Sequence, residues 1–286
     1  MNGHDRRLHA FRPDLADERL YGSVEAERFV AGRPARIAVP VADLKRAPRP
    51  DAGLDSQLLF GDDVLVFEES EGWAWVQSER DGYVGFVAGA AVAPIGDEAT
   101  HIVCAPRTFL YPGPDMKLPR SGKLSMGSRI LVTGYAETRG TKYAMLASGE
   151  AIVAVHVVAR GAVAEDYVTV AETLLNTPYL WGGCSGFGLD CSGLVQLSQR
   201  MSGNMVLRDT DMQAGTIGTV VDAKPAYENL RRGDLVFWNG HVAIMTDAEN
   251  MIHANGHTML VSREPLAAAI ERISYLYGGP TGLRRP

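Results

Sequence analysis

The stretch that most constrains this chain covers residues 179–196, where a glycine-rich segment leads into an apolar repeat. Four glycines lie within residues 182–188, too many for the interior of a helix or strand, so a tight loop is predicted there. Beyond it, apolar residues recur at the spacing of an amphipathic helix that begins near Cys191. Asp190 stands directly before that helix and is an N-cap candidate. The stretch therefore predicts a loop-to-helix junction with a cysteine at the helix start.

A cysteine in that position differs from a cysteine inside a core. The unpaired N–H groups and the macrodipole at a helix start favour the thiolate, which is the nucleophilic form. The alternative is that Cys191 packs as a small hydrophobic residue, the usual role of a free cysteine. A catalytic thiol also needs a neighbouring base, and the base needs a residue that orients it.

Two histidines on a predicted hairpin are candidates for those roles. The apolar runs predict strands at residues 235–238, 241–246 and 251–254. His241 begins the second strand and His253 lies in the third, with a turn expected at 247–250. A regular four-residue turn would put the two rings on opposite faces, whereas an odd loop or a bulge would bring them together. The sequence leaves both registers open.

These residues lie in motifs that resemble the NlpC-type cysteine peptidases, which are papain-like enzymes that cut bacterial cell-wall peptides. The matching segments, in order, are residues 177–183, 188–195, 232–238, 240–244 and 252–254. The resemblance rests on several spaced motifs, since Asp-Cys-Ser-Gly alone would be weak. It implies that Cys191 is the nucleophile, His241 the base and His253 the polar residue that orients the base. It also implies that Tyr179 lies near the oxyanion hole.

Length and charge restrict the remaining possibilities. A chain of 286 residues suits two or three domains, and a hydrophobic content of 46% is ordinary for a globular protein. A net charge of −6 argues against general nucleic-acid binding and against attraction to anionic membranes. No apolar run approaches the length of a membrane span.

Cysteine content and the first residues indicate a compartment. Three cysteines are an odd and low number, which suits a reduced cytosol better than a disulfide scaffold. Residues 1–14 contain charges but no apolar core segment, so they are not a secretory signal. We therefore expect a cytoplasmic protein.

The first half of the chain has a different pattern, with short strands and turns typical of a small β-barrel. The pattern occurs twice, and both copies resemble the bacterial SH3-like barrels that precede NlpC-type catalytic domains. The expected fold is α+β. Its expected segments are an N-terminal extension (1–36, with a short helix in 14–30), a first barrel (37–95), a second barrel (96–160) and a papain-like peptidase domain (161–286, opening with a helix at 165–176).

The resemblance extends to the intracellular γ-D-glutamyl-L-diamino acid endopeptidases of murein recycling, in which the first barrel closes one end of the cleft. It implies that Tyr83 and Asp190 hold the free amine of an N-terminal L-alanine, with Ser192 nearby as a further substrate-binding residue. A closed cleft with a carboxylate favours short peptides, because a longer chain would clash and leave a charge unpaired. The alternatives are an aromatic packed in its barrel for Tyr83 and a simple N-cap for Asp190.

The expected activity is a cofactor-free cysteine peptidase that hydrolyses the γ-D-glutamyl–diamino acid bond of short murein peptides. The alternatives are a wall-targeted peptidoglycan hydrolase and a papain-like amidase or acyltransferase on another substrate. A metal site formed by His241, His253 and His257 with a cysteine is a weaker alternative, because the ligand spacing is loose. Arg208, Asp209, Asp211 and Gln213 follow the predicted helix at Cys191 and are candidates to line the cleft.

Overall fold

The computed structural model describes residues 4–286 and divides into two compact units, with the boundary between Ala162 and Val163. The N-terminal unit is built from strands joined by turns, and the C-terminal unit combines helices with a six-stranded sheet. The chain is therefore of mixed α and β content, as the sequence predicts. Within the described residues, no helix is both long enough and apolar enough to cross a membrane.

The N-terminal unit opens with two short parallel strands, β1 (Ala16–Asp17) and β2 (Phe29–Val30). The helix expected within residues 14–30 is wrong, because only a single 3-10 turn forms there, at Glu18–Leu20. Gly22 then turns the chain with a φ of +77°, in the left-handed region that glycine enters most easily.

Tertiary packing explains why this segment is not helical. Ala10 and Leu15 are buried against Phe67 and Trp75 of the neighbouring sheet, so the extension serves as a cover for that sheet. The guanidinium of Arg12 lies 4.4 Å from the centroid of the Trp75 ring, a cation–π distance. Contacts with the sheet thus take precedence over local helix propensity.

Seven strands follow and form one sheet in the order β5-β4-β8-β7-β6-β3-β9. Their bounds are β3 (Arg33–Ile37), β4 (Val41–Lys45), β5 (Leu54–Leu59), β6 (Asp63–Ser70), β7 (Trp73–Ser78), β8 (Val84–Ala88) and β9 (Val92–Ala93). Alternate side chains of β3, β4 and β8 are buried, which is typical of strands with one face on a core. Ile37, Leu44 and Val87 lie in that core.

Eight further strands complete the unit in three small sheets, ordered β13-β10-β17, β11-β12 and β14-β15-β16. Their bounds are β10 (His101–Val103), β11 (Arg107–Leu110), β12 (Gly122–Ser125), β13 (Arg129–Ile130), β14 (Val132–Thr138), β15 (Thr141–Leu146), β16 (Ala151–Val153) and β17 (Val157–Ala159). All three sheets contribute to one apolar cluster that includes Val103, Leu124 and Ile152. Phe60, which follows β5, also packs against this cluster.

The C-terminal unit contains four helices and eight strands. The helices are α1 (Tyr167–Thr173), α2 (Cys191–Met201), α3 (Thr210–Thr216) and α4 (Leu266–Tyr277). The strands are β18 (Cys184–Ser185), β19 (Gly188–Leu189), β20 (Thr219–Val220), β21 (Leu235–Trp238), β22 (His241–Met245), β23 (Asn250–Asn255), β24 (Leu260–Pro265) and β25 (Gly282–Arg285). Six of them form a sheet in the order β20-β25-β21-β22-β23-β24.

The helix predicted over residues 165–176 is shorter than expected. Asp166 is its N-cap, and its carboxylate accepts a hydrogen bond from the Val168 N–H at 2.9 Å. The helix ends at Thr173, and Asn176 then adopts a φ of +64°, which reverses the chain before Pro178.

Two helices pack on the six-stranded sheet and position the candidate site. Helix α4 buries Leu266 and Ile273 in a cluster with Met245 and Met251 of the sheet. Helix α2 contacts β22 and β23, so its first residue comes close to the strand that begins at His241.

Candidate active site

The glycine-rich segment forms the predicted loop, and α2 begins at Cys191. Asp190 is its N-cap: the carboxylate Oδ1 accepts a hydrogen bond from the Gly193 N–H at 2.7 Å. Gly193 also lies against the loop so closely that an added Cβ would stand 2.1 Å from the Gly183 carbonyl oxygen. The loop and the helix start can therefore meet only because residue 193 has no side chain. The predicted helix start and its cap are both confirmed.

The loop is also fixed to the sheet. The Asn176 N–H donates to the Val261 carbonyl at 2.9 Å, and the Tyr179 N–H donates to the Met259 carbonyl at 2.8 Å. Tyr179 is thereby placed next to the nucleophile loop. Burial raises the pKa of Tyr179 to about 12, and the charges of Cys191 and Asp190 act in the same direction.

Cys191 is buried, with 7% of its surface exposed. Its sulfur contacts the Thr210 hydroxyl at 3.8 Å and the Gly240 carbonyl oxygen at 3.9 Å, and it also interacts with the Val242 N–H. The sulfur thus lies against the backbone on both sides of His241. Thr210 is the first residue of α3, so two helix starts converge on the thiol.

The hairpin register brings the two histidines onto one face. Met245 pairs with Met251, so the loop between them has five residues, 246–250. This odd loop is the alternative that the sequence allowed, and the same register places Ala243 opposite His253. His241 lies two residues from Ala243 and shares its face. The imidazole atoms His241 Nε2 and His253 Nδ1 are 2.8 Å apart.

The protonation states differ from the thiolate expected at a helix start. Burial, followed by the Asp190 carboxylate, raises the pKa of Cys191 to about 11. Burial also lowers the pKa of His241 to about 3, and His253 and Arg272 act in the same direction. Both shifts favour a neutral thiol beside a neutral imidazole at pH 7.

No hydrogen bond joins His241 to the Cys191 sulfur in the described part of the chain. A protonated thiol is a donor, and Gly240 offers it a carbonyl acceptor. His241 Nε2 is bound to His253 instead. The Cys191 sulfur therefore lies against the residues that flank His241 without a direct hydrogen bond to its ring.

Asp190 has a second partner that sequence reasoning did not assign to it. Arg208 Nη2 donates to Asp190 Oδ2 at 2.6 Å, and Nη1 donates to Asp190 Oδ1 at 3.1 Å and to Ser192 Oγ at 2.7 Å. The Arg208 side chain is only 1% exposed. The Gly182 N–H also donates to Asp190 Oδ2, at 2.9 Å. Asp190 thus joins the loop, the helix start and a buried guanidinium, and Arg208 offsets its charge.

Gln213 is buried behind the same pair. Its amide Nε2 donates to the Ser192 carbonyl at 3.0 Å and to the Leu207 carbonyl at 2.9 Å. The structure therefore places Arg208 and Gln213, two of the four candidate cleft residues, against the start of α2.

Tyr83 belongs to the N-terminal unit and is 5% exposed. Its N–H donates to Asp81 Oδ1 at 3.2 Å, and Asp81 in turn pairs with Arg80 at 3.2 Å. Arg80 also pairs with Asp62 at 3.2 Å, so two buried carboxylates flank one guanidinium next to Tyr83.

Sequence reasoning also missed two residues that hold His253 in place, Glu264 and its partner Arg272. His253 is fully buried, and its Nε2 lies 2.7 Å from Oε1 of Glu264. Glu264 forms a salt bridge with Arg272 of α4. The available signal was the register of β23 and β24, in which Ser262 lies opposite His253 and Glu264 is two residues further on the same face. That register cannot be read from the sequence alone.

Among residues 4–286, no group of three or more His, Cys, Asp or Glu side chains is arranged to hold a metal ion. The chemistry present is that of a cysteine at a helix start beside two hydrogen-bonded histidines on a sheet. This combination of fold and site is typical of cysteine peptidases.

Comparison with protein families agrees with that class. Residues 176–277 match the NlpC/P60 family, and residues 44–92 match the bacterial dipeptidyl-peptidase Sh3 domain. The chain is therefore an NlpC-type cysteine peptidase that carries an SH3 domain.

Individual relatives cover most of the chain. It is 26% identical over 277 residues to dipeptidyl-peptidase 6 of Lysinibacillus sphaericus, which covers 85% of this chain and 99% of the relative. It is 28% identical over 226 residues to the γ-D-glutamyl-L-lysine dipeptidyl-peptidase of Bacillus subtilis, covering 71% of this chain and 73% of that one. The crystal structure of an NlpC/P60 family protein from Bacillus cereus has a TM-score of 0.72 at 24% identity, covering 88% of this chain and 99% of the other. That structural likeness shows the fold.

Proposed function

We propose that this chain hydrolyses the γ-D-glutamyl–diamino acid bond of short murein peptides that have a free N-terminal L-alanine. The observation that carries the proposal is the helix-start Cys191 beside the hydrogen-bonded pair His241–His253. The choice of bond is supported by the relatives named γ-D-glutamyl-L-lysine dipeptidyl-peptidase, in Bacillus subtilis and Bacillus cereus. The proposal places the protein in murein recycling in the cytoplasm.

In the proposed reaction, Cys191 is the nucleophile and His241 is the base. The thiol turns from the Gly240 carbonyl toward His241, which accepts its proton as the sulfur attacks the γ-carbonyl carbon of D-glutamate. N–H groups at the start of α2, with Tyr179 nearby, stabilise the oxyanion. The protonated His241 then gives its proton to the leaving amine of the diamino acid. Water hydrolyses the thioester and restores the thiol.

The proposed substrate-binding residues are Tyr83, Asp190 and Ser192. Since Arg208 already binds both oxygens of Asp190, the carboxylate would have to share its charge between Arg208 and the substrate ammonium. Ser192 Oγ accepts from Arg208 and contacts Asp190 Oδ1 at 3.3 Å, so it belongs to the same cluster. Tyr83 enters the proposal through the family resemblance alone.

We also propose the domain division 1–36, 37–95, 96–160 and 161–286, in which the second segment is an SH3-like barrel and the third a divergent second one. The common core formed by the three small sheets supports a separate third segment. The matched SH3 domain at residues 44–92 lies inside the second segment. The fourth segment is proposed to be papain-like.

The test of the proposed function is cleavage of defined tripeptides. L-Ala-γ-D-Glu-L-Lys and L-Ala-γ-D-Glu-diaminopimelate should each be offered with a free and with an acetylated amine, beside intact peptidoglycan. The expected product is L-Ala-D-Glu from the free-amine tripeptides, with little cleavage of the acetylated forms or of the wall. Equal digestion of intact wall would instead favour a wall-targeted hydrolase. No cleavage of any of these substrates would favour an amidase or acyltransferase on another substrate.

The specificity part of the proposal predicts a defect in Tyr83→Phe. A hydrogen bond to a charged group is worth roughly 1.5–3 kcal/mol, so kcat/KM on free-amine tripeptides should fall about tenfold to a hundredfold. The measurement is steady-state kinetics, with Tyr143→Phe, a buried tyrosine of β15, as the control. An unchanged kcat/KM in Tyr83→Phe would remove this residue from the site.

A further inference from the structure

A chain of polar contacts continues beyond the two histidines. His241 Nε2 lies 2.8 Å from His253 Nδ1, and His253 Nε2 lies 2.7 Å from Glu264 Oε1. Glu264 is held in turn by a salt bridge to Arg272. Both ring nitrogens of His253 have protein partners, and since the residue is 0% exposed neither nitrogen depends on water.

The chemistry of these partners fixes where the protons are. An ionised carboxylate only accepts hydrogen bonds, so Nε2 of His253 must carry the hydrogen that Glu264 receives. A neutral imidazole has one N–H, which leaves Nδ1 of His253 as an acceptor. His241 Nε2 must then be the donor in the bond between the two rings. The remaining nitrogen, Nδ1 of His241, is left with a free lone pair.

The opposite arrangement would disable the base. If His253 were protonated on both nitrogens, its Nδ1–H would donate to His241 Nε2, and the single hydrogen of a neutral His241 would move to its Nδ1. That nitrogen could then not accept a proton from a thiol. Arg272 already places one positive charge behind Glu264, and a second one in this buried site is disfavoured.

We propose that Glu264, held by Arg272, is a positioning residue that sets the tautomers of both histidines and leaves Nδ1 of His241 as the basic nitrogen. The proposal rests on the catalytic roles proposed above for Cys191 and His241. It adds a fourth residue to Cys191, His241 and His253, one that acts through His253 and touches neither the thiol nor the substrate.

Burial and charge keep Glu264 in the form that this role requires. Burial alone would raise its pKa, but the hydrogen bond from His253 and the charge of Arg272 lower it below the ordinary value. The carboxylate is therefore ionised throughout the neutral range. It is supplied by β24 and its partner Arg272 by α4, so two elements fix the position of one side chain.

The direct test is nitrogen NMR of the full-length protein labelled with ¹⁵N-histidine, with the signals assigned through His241→Gln and His253→Asn. The wild type should show His253 protonated on Nε2 only, and His241 protonated on Nε2 only. In Glu264→Ala the His253 signals should shift toward a mixture of tautomers. A wild type in which His253 carries its hydrogen on Nδ1, or on both nitrogens, would overturn the proposal.

Kinetics on the free-amine tripeptide give the second readout. Glu264→Ala should lower kcat about tenfold to a hundredfold while KM stays within about twofold, because the substrate does not touch this residue. Glu264→Gln keeps an acceptor oxygen but loses the charge, so it should recover part of the lost kcat. Glu271→Gln, an exposed carboxylate on α4, is the matched control and should match the wild type. Glu264→Ala kinetics equal to those of Glu271→Gln would overturn the proposal.

The two proposals can fail separately. An active Cys191→Ala variant would end the proposed mechanism and leave the NMR result on the tautomers unaffected. Conversely, a wild type with the wrong His253 tautomer would end the role of Glu264 while Cys191 remained essential.

Discussion

The candidate site has two ends: the start of α2 at Cys191, here called the nucleophile end, and the pair His241–His253, here called the histidine end. Each end is held by an arginine–carboxylate pair, and the two pairs serve different purposes. Asp190 and Arg208 are almost completely buried, with side-chain exposures of 11% and 1%. Glu264 and Arg272 are partly exposed, at 22% and 29%. Asp190 accepts hydrogen bonds from backbone N–H groups of the loop and the helix, whereas Glu264 contacts an imidazole. The first pair positions backbone, and the second positions protons.

This difference predicts that loss of the Asp190–Arg208 pair lowers mainly the stability of the fold, whereas loss of the Glu264–Arg272 pair lowers mainly the rate of catalysis. Removing one partner of a fully buried pair leaves an uncompensated charge, which costs far more than loss of a partly exposed pair. A carboxylate bound to a catalytic imidazole changes the reaction more than the fold.

The largest effect is expected for Arg208→Ala. Asp190 would remain buried without its counter-ion, so the free energy of unfolding should fall by about 3–5 kcal/mol. Urea denaturation measures this loss. Arg263→Ala is the control, because Arg263 pairs with Asp247 at the surface and such pairs contribute about 0–1 kcal/mol. Similar losses in the two variants would show that the buried pair does not hold the nucleophile loop.

A smaller and different effect is expected for Arg272→Ala. The free energy of unfolding should fall by about 1 kcal/mol, since this pair is partly solvated. The kcat on tripeptide should fall about threefold to tenfold, because Glu264 would lose the charge that holds it against His253. Paired urea and kinetic measurements on the same preparation test this. A large stability loss with unchanged kcat would reverse the assignment of the two pairs.

The smallest expected effect is a shift in the pH dependence of kcat/KM. Burial lowers the pKa of His241 to about 3, so the ring stays neutral when the pH falls below 6.5, the ordinary value for histidine. The acid limb of kcat/KM should therefore lie well below pH 6.5. Cys191 has a pKa raised to about 11, so the plateau should extend through pH 9. Because Arg272 helps to lower the pKa of His241, Arg272→Ala should move the acid limb slightly upward. An acid limb near 6.5 in the wild type would contradict a desolvated base.

The nucleophile end of the site was predictable because its signals are local. Closely spaced glycines, a capping aspartate and an apolar run all occur within residues 179–196, and each acts on its own neighbours in the chain. The helix start at Cys191 follows from them. By contrast, the helix expected within residues 14–30 fails because Leu15 packs against Trp75, a contact that no local pattern encodes.

The arrangement of the two histidines could not be predicted, because it depends on a strand register that no local sequence pattern fixes. Whether His241 and His253 share a face depends on the number of residues in the loop after Met245, and a change of one residue reverses the answer. The role of Glu264 depends further on the register of β23 and β24. Arg208 was recognised as a site candidate, but its pairing with Asp190 is a contact over 18 positions in the chain that only the fold establishes.

The central claim is that the peptidase chemistry takes place at Cys191, and mapping of iodoacetamide inactivation tests it most directly. The protein is alkylated at neutral pH with and without free-amine tripeptide, residual turnover is followed, and modified cysteines are located by peptide mass spectrometry. The account predicts that loss of turnover parallels alkylation of Cys191, that tripeptide slows both, and that Cys104→Ala and Cys184→Ala behave as the wild type. Inactivation that parallels alkylation of Cys104 or Cys184, or turnover that survives in Cys191→Ala, would contradict it.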